Sequence, residues 1–197
     1  MKLYYAPGAC SLADHIALVE SGLPFEPESV DLKSKFTESG ANYADINPKG
    51  YVPALQLKGG DILTENIAIL SYIADRSGKL MPQGDLGRFR ALEALAYIST
   101  ELHKSFKPFF TPDASDAEKD RARNILTKRL SLFDNELSEN SYALGSDFTV
   151  ADCYLFVMLF WARTKIGLDL PPALSAYYDR LFNYAAVRKA LEAEKLV

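Results

Sequence analysis

Two features of the 197-residue sequence predict a small α/β domain followed by an all-helical domain. Up to about Gly78, short apolar runs typical of strands alternate with segments of helical spacing. After a linker that contains Pro82 and Gly84, the strand signals disappear and the pattern is helical to the end. We therefore expect one domain at residues 1–78 and a second at residues 87–197.

The first predicted elements are a strand at Lys2 to Tyr5 and a helix that starts at Ser11. Pro7 and the glycine after it mark the loop between them. The run SLAD has the spacing of a capping box, in which the Ser11 hydroxyl accepts from a free helix amide and the Asp14 carboxylate reaches back. Gly22 supplies the end of this helix.

The remainder of the first domain predicts the order β-α-β-α-β-β-α. A second strand is expected at Phe25 to Val30, followed by a looser segment. The run YVPALQLKGGDILTE indicates a hairpin that turns at Gly59-Gly60 and returns through Ile62. The run ENIAILSYIADRSG then predicts a helix that ends at Gly78.

Capping boxes mark two helix starts in the second domain, at Ser115 and at Thr149. The run VADCYLFVMLFWA that follows Thr149 is too short to span a bilayer and is typical of a central buried helix. A further helix is expected around ALEALAYISTELHKSF. Because it has apolar residues on more than one face, it suggests a contact with a second copy of the chain.

Cys10 lies immediately before the predicted start of the first helix. A thiol beside the unpaired amides of a helix start ionises more readily, and the thiolate is its reactive form. The alternative is a small buried hydrophobe, which is the usual state of a free cysteine. Cys153 has apolar neighbours on a helix, so we expect burial to raise its pKa and leave it inert.

Composition limits the kinds of partner and the compartment. The formal charge of −4 gives no basic surface that would attract nucleic acid, and no segment indicates a membrane span. Two cysteines are too few for a disulfide scaffold and fit a reducing compartment. The short apolar run before Pro7 does not resemble a secretory signal. We therefore expect a cytoplasmic protein.

Six strings occur in order along the whole chain: YYAPGACSLADHIAL, VDLKSK, NPKGYVPAL, LTENIAIL, STELHKSF and FTVADCYLF. Together they resemble the beta class of bacterial glutathione transferases, detoxification enzymes of the cytoplasm. The resemblance implies a thioredoxin-like glutathione-binding domain at 1–78. It also implies a helical domain at 87–197 that contributes the electrophile site and the dimer contacts. Glutathione is then the cosubstrate, with no other cofactor and no metal, and the chain forms a homodimer.

The resemblance also assigns functional residues. It implies that Cys10 faces the glutathione sulfur, with which it can form a mixed disulfide, and that His103 faces Cys10 across the two domains. Both are expected to be catalytic. Glutathione contacts are implied for nine residues: Cys10, Lys35, Val52, Glu65, Asn66, Thr100, Glu101, His103 and Lys104.

In the first domain, each of these assignments has a structural alternative. Val52, before an expected cis-Pro53, is implied to pair with the cysteinyl part of glutathione, but a proline at a strand edge gives the same pattern. Glu65 and Asn66 are implied to hold the γ-glutamyl end, yet both also suit a helix start. Lys35 is implied to reach the glycyl carboxylate, and a solvated surface lysine is the alternative.

The histidines have alternatives as well. In the position that the resemblance implies, His103 would lower the Cys10 thiol pKa as a cation or donate a hydrogen bond to the sulfur as a neutral ring. The alternative is a histidine that only packs against its neighbours, as a lone histidine on a helix more often does. His15 has no recognisable partner in the sequence and is expected to be structural. Tyr4 and Tyr5 are second choices for the site, because other transferase classes use a tyrosine there.

Two departures from the family pattern bear on glutathione affinity. Ala96 stands where the family usually has an asparagine, and Asn66 stands where serine is common. The expected function is conjugation of glutathione to an apolar electrophile bound between the domains. The alternatives are a glutathione-dependent thiol-disulfide oxidoreductase and a non-catalytic ligand-binding protein. The sequence does not identify the electrophile, because it does not show which side chains of the helical domain point into the cleft. The candidates for the cleft wall are Phe106, Phe109, Phe110 and Trp161.

Overall fold

A computed structural model describes all 197 residues as two compact units. The first unit contains Met1–Leu80 and Asn183–Val197, and the second contains Met81–Phe182. The boundaries therefore differ from the predicted ones at the C-terminal end. The last residues group with the first unit because helix α9 (Ala185–Ala193) packs against helix α1 (Leu12–Ser21).

The first unit contains a five-stranded sheet in the order β3-β2-β1-β4-β5. β1 pairs in parallel with β2 and antiparallel with β4, and β4 and β5 form an antiparallel hairpin. The predicted strands and the hairpin are confirmed, whereas the two-residue β3 is not predicted by the sequence pattern. The strands are β1 (Lys2–Tyr5), β2 (Glu26–Asp31), β3 (Phe36–Thr37), β4 (Ala54–Gln56) and β5 (Ile62–Thr64).

Two further helices complete the first unit, α2 (Tyr43–Ile46) and α3 (Asn66–Ser77). α1 lies between α3 and α9 and buries Leu12 and Ile16 completely. Both long helices end at the predicted glycines, α1 at Gly22 and α3 at Gly78, which adopt the left-handed conformation that favours glycine.

The second unit is all-helical. Its α-helices are α4 (Gly87–Tyr97), α5 (Lys107–Phe110), α6 (Asp116–Glu139), α7 (Val150–Thr164) and α8 (Pro172–Phe182). Every residue of α7 from Val150 to Ala162 is buried, so its prediction as a central buried helix is confirmed. None of the helices is both long and apolar enough to cross a membrane.

The predicted continuous helix around ALEALAYISTELHKSF is interrupted. After α4 the chain forms a π-helical segment, Ile98–Leu102, and then a 3-10 turn, His103–Phe106, before α5 begins. π-Segments are rare and occur often at functional sites. Apolar spacing alone did not predict the change of helix type, because the buried Ile98 and Leu102 also fit a regular helix.

The capping boxes at Ser115 and Thr149 are both confirmed. The second is buried and extends beyond its own helix. Asp152 Oδ2 accepts from Thr149 N at 2.8 Å and from Thr149 Oγ1 at 2.9 Å. Asp152 Oδ1 accepts from Ala143 N at 2.8 Å and from the Tyr177 hydroxyl at 2.7 Å. One carboxyl group therefore connects the start of α7 to the preceding loop and to α8.

We expect Asp152→Ala to lower the free energy of unfolding by about 3 to 5 kcal/mol, because several buried donors lose their acceptor at once. The matched control is Ser115→Ala in the exposed box at the start of α6, for which we expect a loss of about 1 kcal/mol. Urea unfolding followed by circular dichroism measures both. Equal losses would show that Asp152 acts only as a helix cap.

Candidate functional site

Cys10 lies in the tight loop between β1 and α1. Ala9 N donates to Ala6 O at 3.0 Å, and the Ser11 hydroxyl both accepts from Ala6 N at 3.2 Å and donates to Ala6 O at 3.4 Å. Ser11 already has right-handed helical dihedral angles and makes no side-chain cap to α1. The predicted capping box between Ser11 and Asp14 is therefore wrong. The Ser11 hydroxyl closes the Cys10 loop instead.

Three of the predicted site residues meet at this loop. The Cys10 thiol donates to Val52 O, with an S···O distance of 3.6 Å, and Asn66 Nδ2 donates to Cys10 O at 2.9 Å. The peptide bond between Val52 and Pro53 is cis, as the resemblance implies. Asn66 thus connects the first residue of α3 to the reactive loop, and it does not cap its own helix through a side chain.

The surroundings of the Cys10 sulfur favour the neutral thiol. Although part of the residue reaches the surface, burial of the sulfur raises the pKa of the Cys10 thiol to about 12. The amides of Cys10 and Ser11 lower the pKa, as expected for a helix start, but their effect is smaller. The surroundings of the sulfur therefore oppose the ready ionisation that the helix start led us to expect.

Glu65 is held by residues that sequence reasoning did not select. Its Oε1 pairs with Lys49 Nζ at 2.5 Å and accepts from the Tyr51 hydroxyl at 2.8 Å. All three side chains are about half exposed. Because Lys49 and Tyr51 belong to the string NPKGYVPAL, that string contained the signal. Lys35 donates from Nζ to Gly50 O at 2.8 Å and lies at the surface.

A buried hydrogen bond between His15 and Glu194 supports the Cys10 loop. Glu194, which follows α9, accepts from Gly8 N at 2.9 Å and contacts His15 Nδ1 at 2.9 Å. His15 also lies 5.5 Å, between ring centroids, from both Tyr5 and Phe25. His15 therefore has a partner after all, and it comes from the C-terminal segment. No local pattern around Glu194 could have identified it.

Asp14 occupies the same buried region, one helical turn after Cys10. The residue has no solvent exposure, and neither carboxyl oxygen has a hydrogen-bond partner. Burial raises the pKa of Asp14 well above that of an exposed aspartate, and the charge of Glu194 raises it further. The neutral acid is the form that this environment favours.

His103 belongs to the second unit and lies in the turn after the π-helical segment. Its Nδ1 is 2.6 Å from the hydroxyl of Tyr154, which is buried on α7. Its ring makes edge contacts with Tyr154 and Trp161, at centroid distances of 5.9 and 5.1 Å. Burial lowers the pKa of His103 to about 4, with the charge of Lys104 as a smaller cause. His103 is therefore neutral at physiological pH.

The other predicted residues of the second unit lie near the surface. The Thr100 hydroxyl donates to Ala96 O at 3.0 Å, within its own helical turn. Glu101 forms an ion pair with Arg129 at 2.7 Å, and Lys104 is exposed. None of these three contacts His103 through a hydrogen bond. Their assignment to glutathione stays a prediction.

An aromatic cluster surrounds Trp161 in the second unit. Phe106 and Phe110 lie at centroid distances of 5.4 and 5.0 Å from Trp161, and Phe109 contacts Phe106 at 6.4 Å. Phe106 is buried, whereas Phe110 is 51% exposed. The cluster thus extends the aromatic surroundings of His103 to an apolar surface. No group of three or more His, Cys, Asp or Glu side chains is arranged to hold a metal ion.

Comparison with known families gives two matches that together cover most of the chain. Residues 1–75 match the N-terminal domain of glutathione S-transferase, and residues 97–184 match the C-terminal domain of glutathione S-transferase.

Individual proteins match over the full length. The chain is 44% identical to glutathione S-transferase GstA of Escherichia coli O157:H7, with complete coverage of both chains. A sphingomonad glutathione S-transferase solved in complex with glutathione is 46% identical, has a TM-score of 0.93 and is also completely covered. The beta-class glutathione S-transferase of Sphingomonas chungbukensis is also 46% identical, with a TM-score of 0.93 and complete coverage of both chains.

Asp14→Asn tests the buried acid, because asparagine has nearly the size of the neutral aspartic acid but does not ionise. The folded pKa of Asp14 is raised, so the wild-type protein loses stability as the pH rises above the unfolded value of 3.8. We expect the two proteins to be about equally stable near pH 4. At pH 8 we expect the variant to be more stable by about 1 to 3 kcal/mol.

Urea unfolding at several pH values measures this difference, with Asp61→Asn in the exposed hairpin turn as the control. Parallel stability curves for Asp14→Asn and wild type would contradict the raised pKa.

Proposed function

The chain belongs to the beta class of bacterial glutathione S-transferases, and we propose that it conjugates glutathione to apolar electrophiles. It is a glutathione S-transferase enzyme whose thioredoxin-like first domain and helical second domain agree with the resemblance in the sequence. The observation that best supports glutathione as the ligand is the meeting of Cys10, Val52 and Asn66 at the start of α1 and α3. A cytoplasmic location stays a prediction.

Glutathione is an extended peptide, and the first unit offers a group for each part of it. The backbone of Val52 pairs with the cysteinyl residue, in the manner of an added strand. The γ-glutamyl carboxylate lies at the free amides that begin α3, and its ammonium group pairs with Glu65. Because Glu65 already pairs with Lys49, ligand binding changes that ion pair and leaves Lys49 available to a carboxylate.

The sulfur of glutathione is the nucleophile in conjugation, so the enzyme must favour its thiolate. The Cys10 thiol, protonated in the free protein, donates a weak hydrogen bond to that thiolate in place of the Val52 carbonyl. His103 supplies a second donor. It acts as a neutral ring and not as a cation, since burial lowers its pKa to about 4.

A mixed disulfide is the second reaction that we propose for Cys10. Its thiolate attacks one sulfur of oxidised glutathione, a new bond forms to that sulfur, and the other half leaves as a glutathione thiolate that takes up the proton. Cys153 cannot substitute for Cys10, because it is completely buried on α7.

Two substitutions separate these roles. We expect Cys10→Ala to abolish the adduct with oxidised glutathione and to retain measurable conjugation of an activated aryl chloride. We expect His103→Ala to reduce conjugation by about tenfold to a hundredfold, the effect of one lost hydrogen bond to a charged group, and to keep the adduct. Intact-mass measurement detects the adduct, and absorbance follows the conjugate.

Cys153→Ala is the matched control and should change neither readout. Retention of each variant on immobilised glutathione shows that the ligand still binds. Should Cys10→Ala lose conjugation while it still binds glutathione, a covalent mechanism at Cys10 would replace the one proposed. A wild-type protein that binds glutathione but conjugates no aryl chloride would indicate a binding protein instead.

We propose that the second unit also forms a homodimer, through a groove of about 840 Å³ between α4 and α6. Most apolar residues of α4 and the π-helical segment are buried within the unit, so they do not explain a dimer. Three other apolar side chains are exposed: Leu86, just before α4, by 60%, Phe89 on α4 by 63% and Leu132 on α6 by 51%. The groove also has both Arg90 and Glu136 in its lining, so a two-fold axis can bring opposite charges together.

Leu132→Glu tests this surface, because it would bury an unpaired charge in the interface. In a two-fold dimer that unfavourable burial occurs twice. We expect wild type to have the mass of a dimer at micromolar concentration and the variant to have that of a monomer. Light scattering after gel filtration measures both, and Val197→Glu at the exposed C-terminus is the control. A monomeric wild-type protein would overturn the proposal.

A further inference from the structure

The contact between His103 and Tyr154 defines the ring geometry of His103 more closely than any other contact. The Nδ1···Oη distance is 2.6 Å, and the two rings are nearly perpendicular, at 84°. Trp161 lies against the imidazole at 5.1 Å and 72°. Tyr154 itself is 1% exposed in the middle of α7, where its neighbours along the helix are all buried. The imidazole is therefore held from one side by a rigid helix.

The chemistry of the two groups decides which of them donates. A neutral imidazole has one N–H and one bare nitrogen, and a phenol has one O–H. A phenol is a stronger acid than the N–H of neutral imidazole, and the bare imidazole nitrogen is a better acceptor than a phenol oxygen. The more stable arrangement has the Tyr154 hydroxyl donating to Nδ1. The remaining ring proton is then on Nε2.

We propose that Tyr154 is a positioning residue that fixes His103 in the Nε2–H tautomer, so that His103 offers a hydrogen bond to the glutathione sulfur. The two ring nitrogens point in different directions, so a proton on Nε2 is directed away from Tyr154. The opposite tautomer would place the proton against the hydroxyl and leave only an acceptor lone pair for a ligand. This inference rests on the assignment of His103 to the conjugation reaction.

A fixed tautomer gives a neutral donor that needs no protonation. A histidine that served as a cation would have to compete with burial, which opposes the charged ring. With Tyr154 in place, the donor is present throughout the pH range in which glutathione forms a thiolate. Tyr154 does this without touching the substrate.

Nitrogen-15 NMR of the histidine side chains tests the tautomer directly. The chain has two histidines, so comparison with His103→Ala assigns the signals. In wild-type protein we expect the His103 Nε2 signal to be of the protonated type and Nδ1 of the unprotonated type from pH 6 to pH 8. The reverse pattern, or equal averaged shifts, would overturn the proposal and leave the conjugation activity itself unaffected.

Tyr154→Phe tests the consequence. We expect the tautomer preference to be lost and kcat for conjugation to fall by about tenfold, with KM for glutathione unchanged, because one directed hydrogen bond is lost in the transition state. In the His103→Ala background the same substitution should have no further effect on kcat. An unchanged kcat in Tyr154→Phe, with conjugation still dependent on His103, would overturn the proposal.

Tyr177→Phe is the matched control. It also removes a buried tyrosine hydroxyl that makes a short hydrogen bond, 2.7 Å to Asp152, but the partner is not His103. We expect it to lower stability and leave the His103 signals unchanged. If His103→Ala conjugates normally, the proposed role of His103 fails, while the wild-type NMR still decides the tautomer.

Discussion

Removal of water from the Cys10 sulfur and from the His103 ring is the physical effect on which the proposed chemistry depends. The same physical effect acts on two groups of opposite type. Burial raises the pKa of Cys10 to about 12 and lowers the pKa of His103 to about 4, so both are neutral in the free protein. A neutral thiol and a neutral imidazole are hydrogen-bond donors, and neither is a strong charge. In the reaction that we propose, the charged sulfur is therefore the thiolate of glutathione.

Holding a buried loop in one geometry requires partners for its backbone, and the chain supplies them from distant positions. Ser11 closes the loop on Ala6, Asn66 reaches it from α3, and Glu194 reaches it from the end of the chain. Ser11 and Glu194 accept from the backbone amides of Ala6 and Gly8, and Asn66 adds a second donor to Cys10 O beside Ala13 N. The C-terminal segment therefore joins the first unit through a hydrogen bond as well as through packing.

Local patterns predicted the elements whose ends are set by local chemistry. Glycine at the ends of α1 and α3, the hairpin turn and the box at Thr149 all followed from neighbouring residues. The capping-box prediction failed at Ser11 because its hydroxyl can pair either with the preceding loop or with the first amides of α1. In the structure it pairs with Ala6 in the loop. The hydrogen bond between His15 and Glu194 joins residues 179 positions apart, and no spacing rule connects them. The π-helical segment before His103 has the same apolar spacing as an ordinary helix.

The state of Cys10 also bears on the choice between transferase and thiol-disulfide oxidoreductase. The thiol of an oxidoreductase reacts fast when its pKa lies near the ambient pH. Nearby cations or unpaired amides must then lower the thiol pKa by more than burial raises it. At Cys10 the effect of burial on the thiol pKa is larger than the opposing effect of the amides at the helix start. The burial of Cys10 thus favours the transferase over the oxidoreductase as the proposed function. In the proposed conjugation the reactive thiolate belongs to glutathione, and Cys10 and His103 serve as hydrogen-bond donors in their neutral forms.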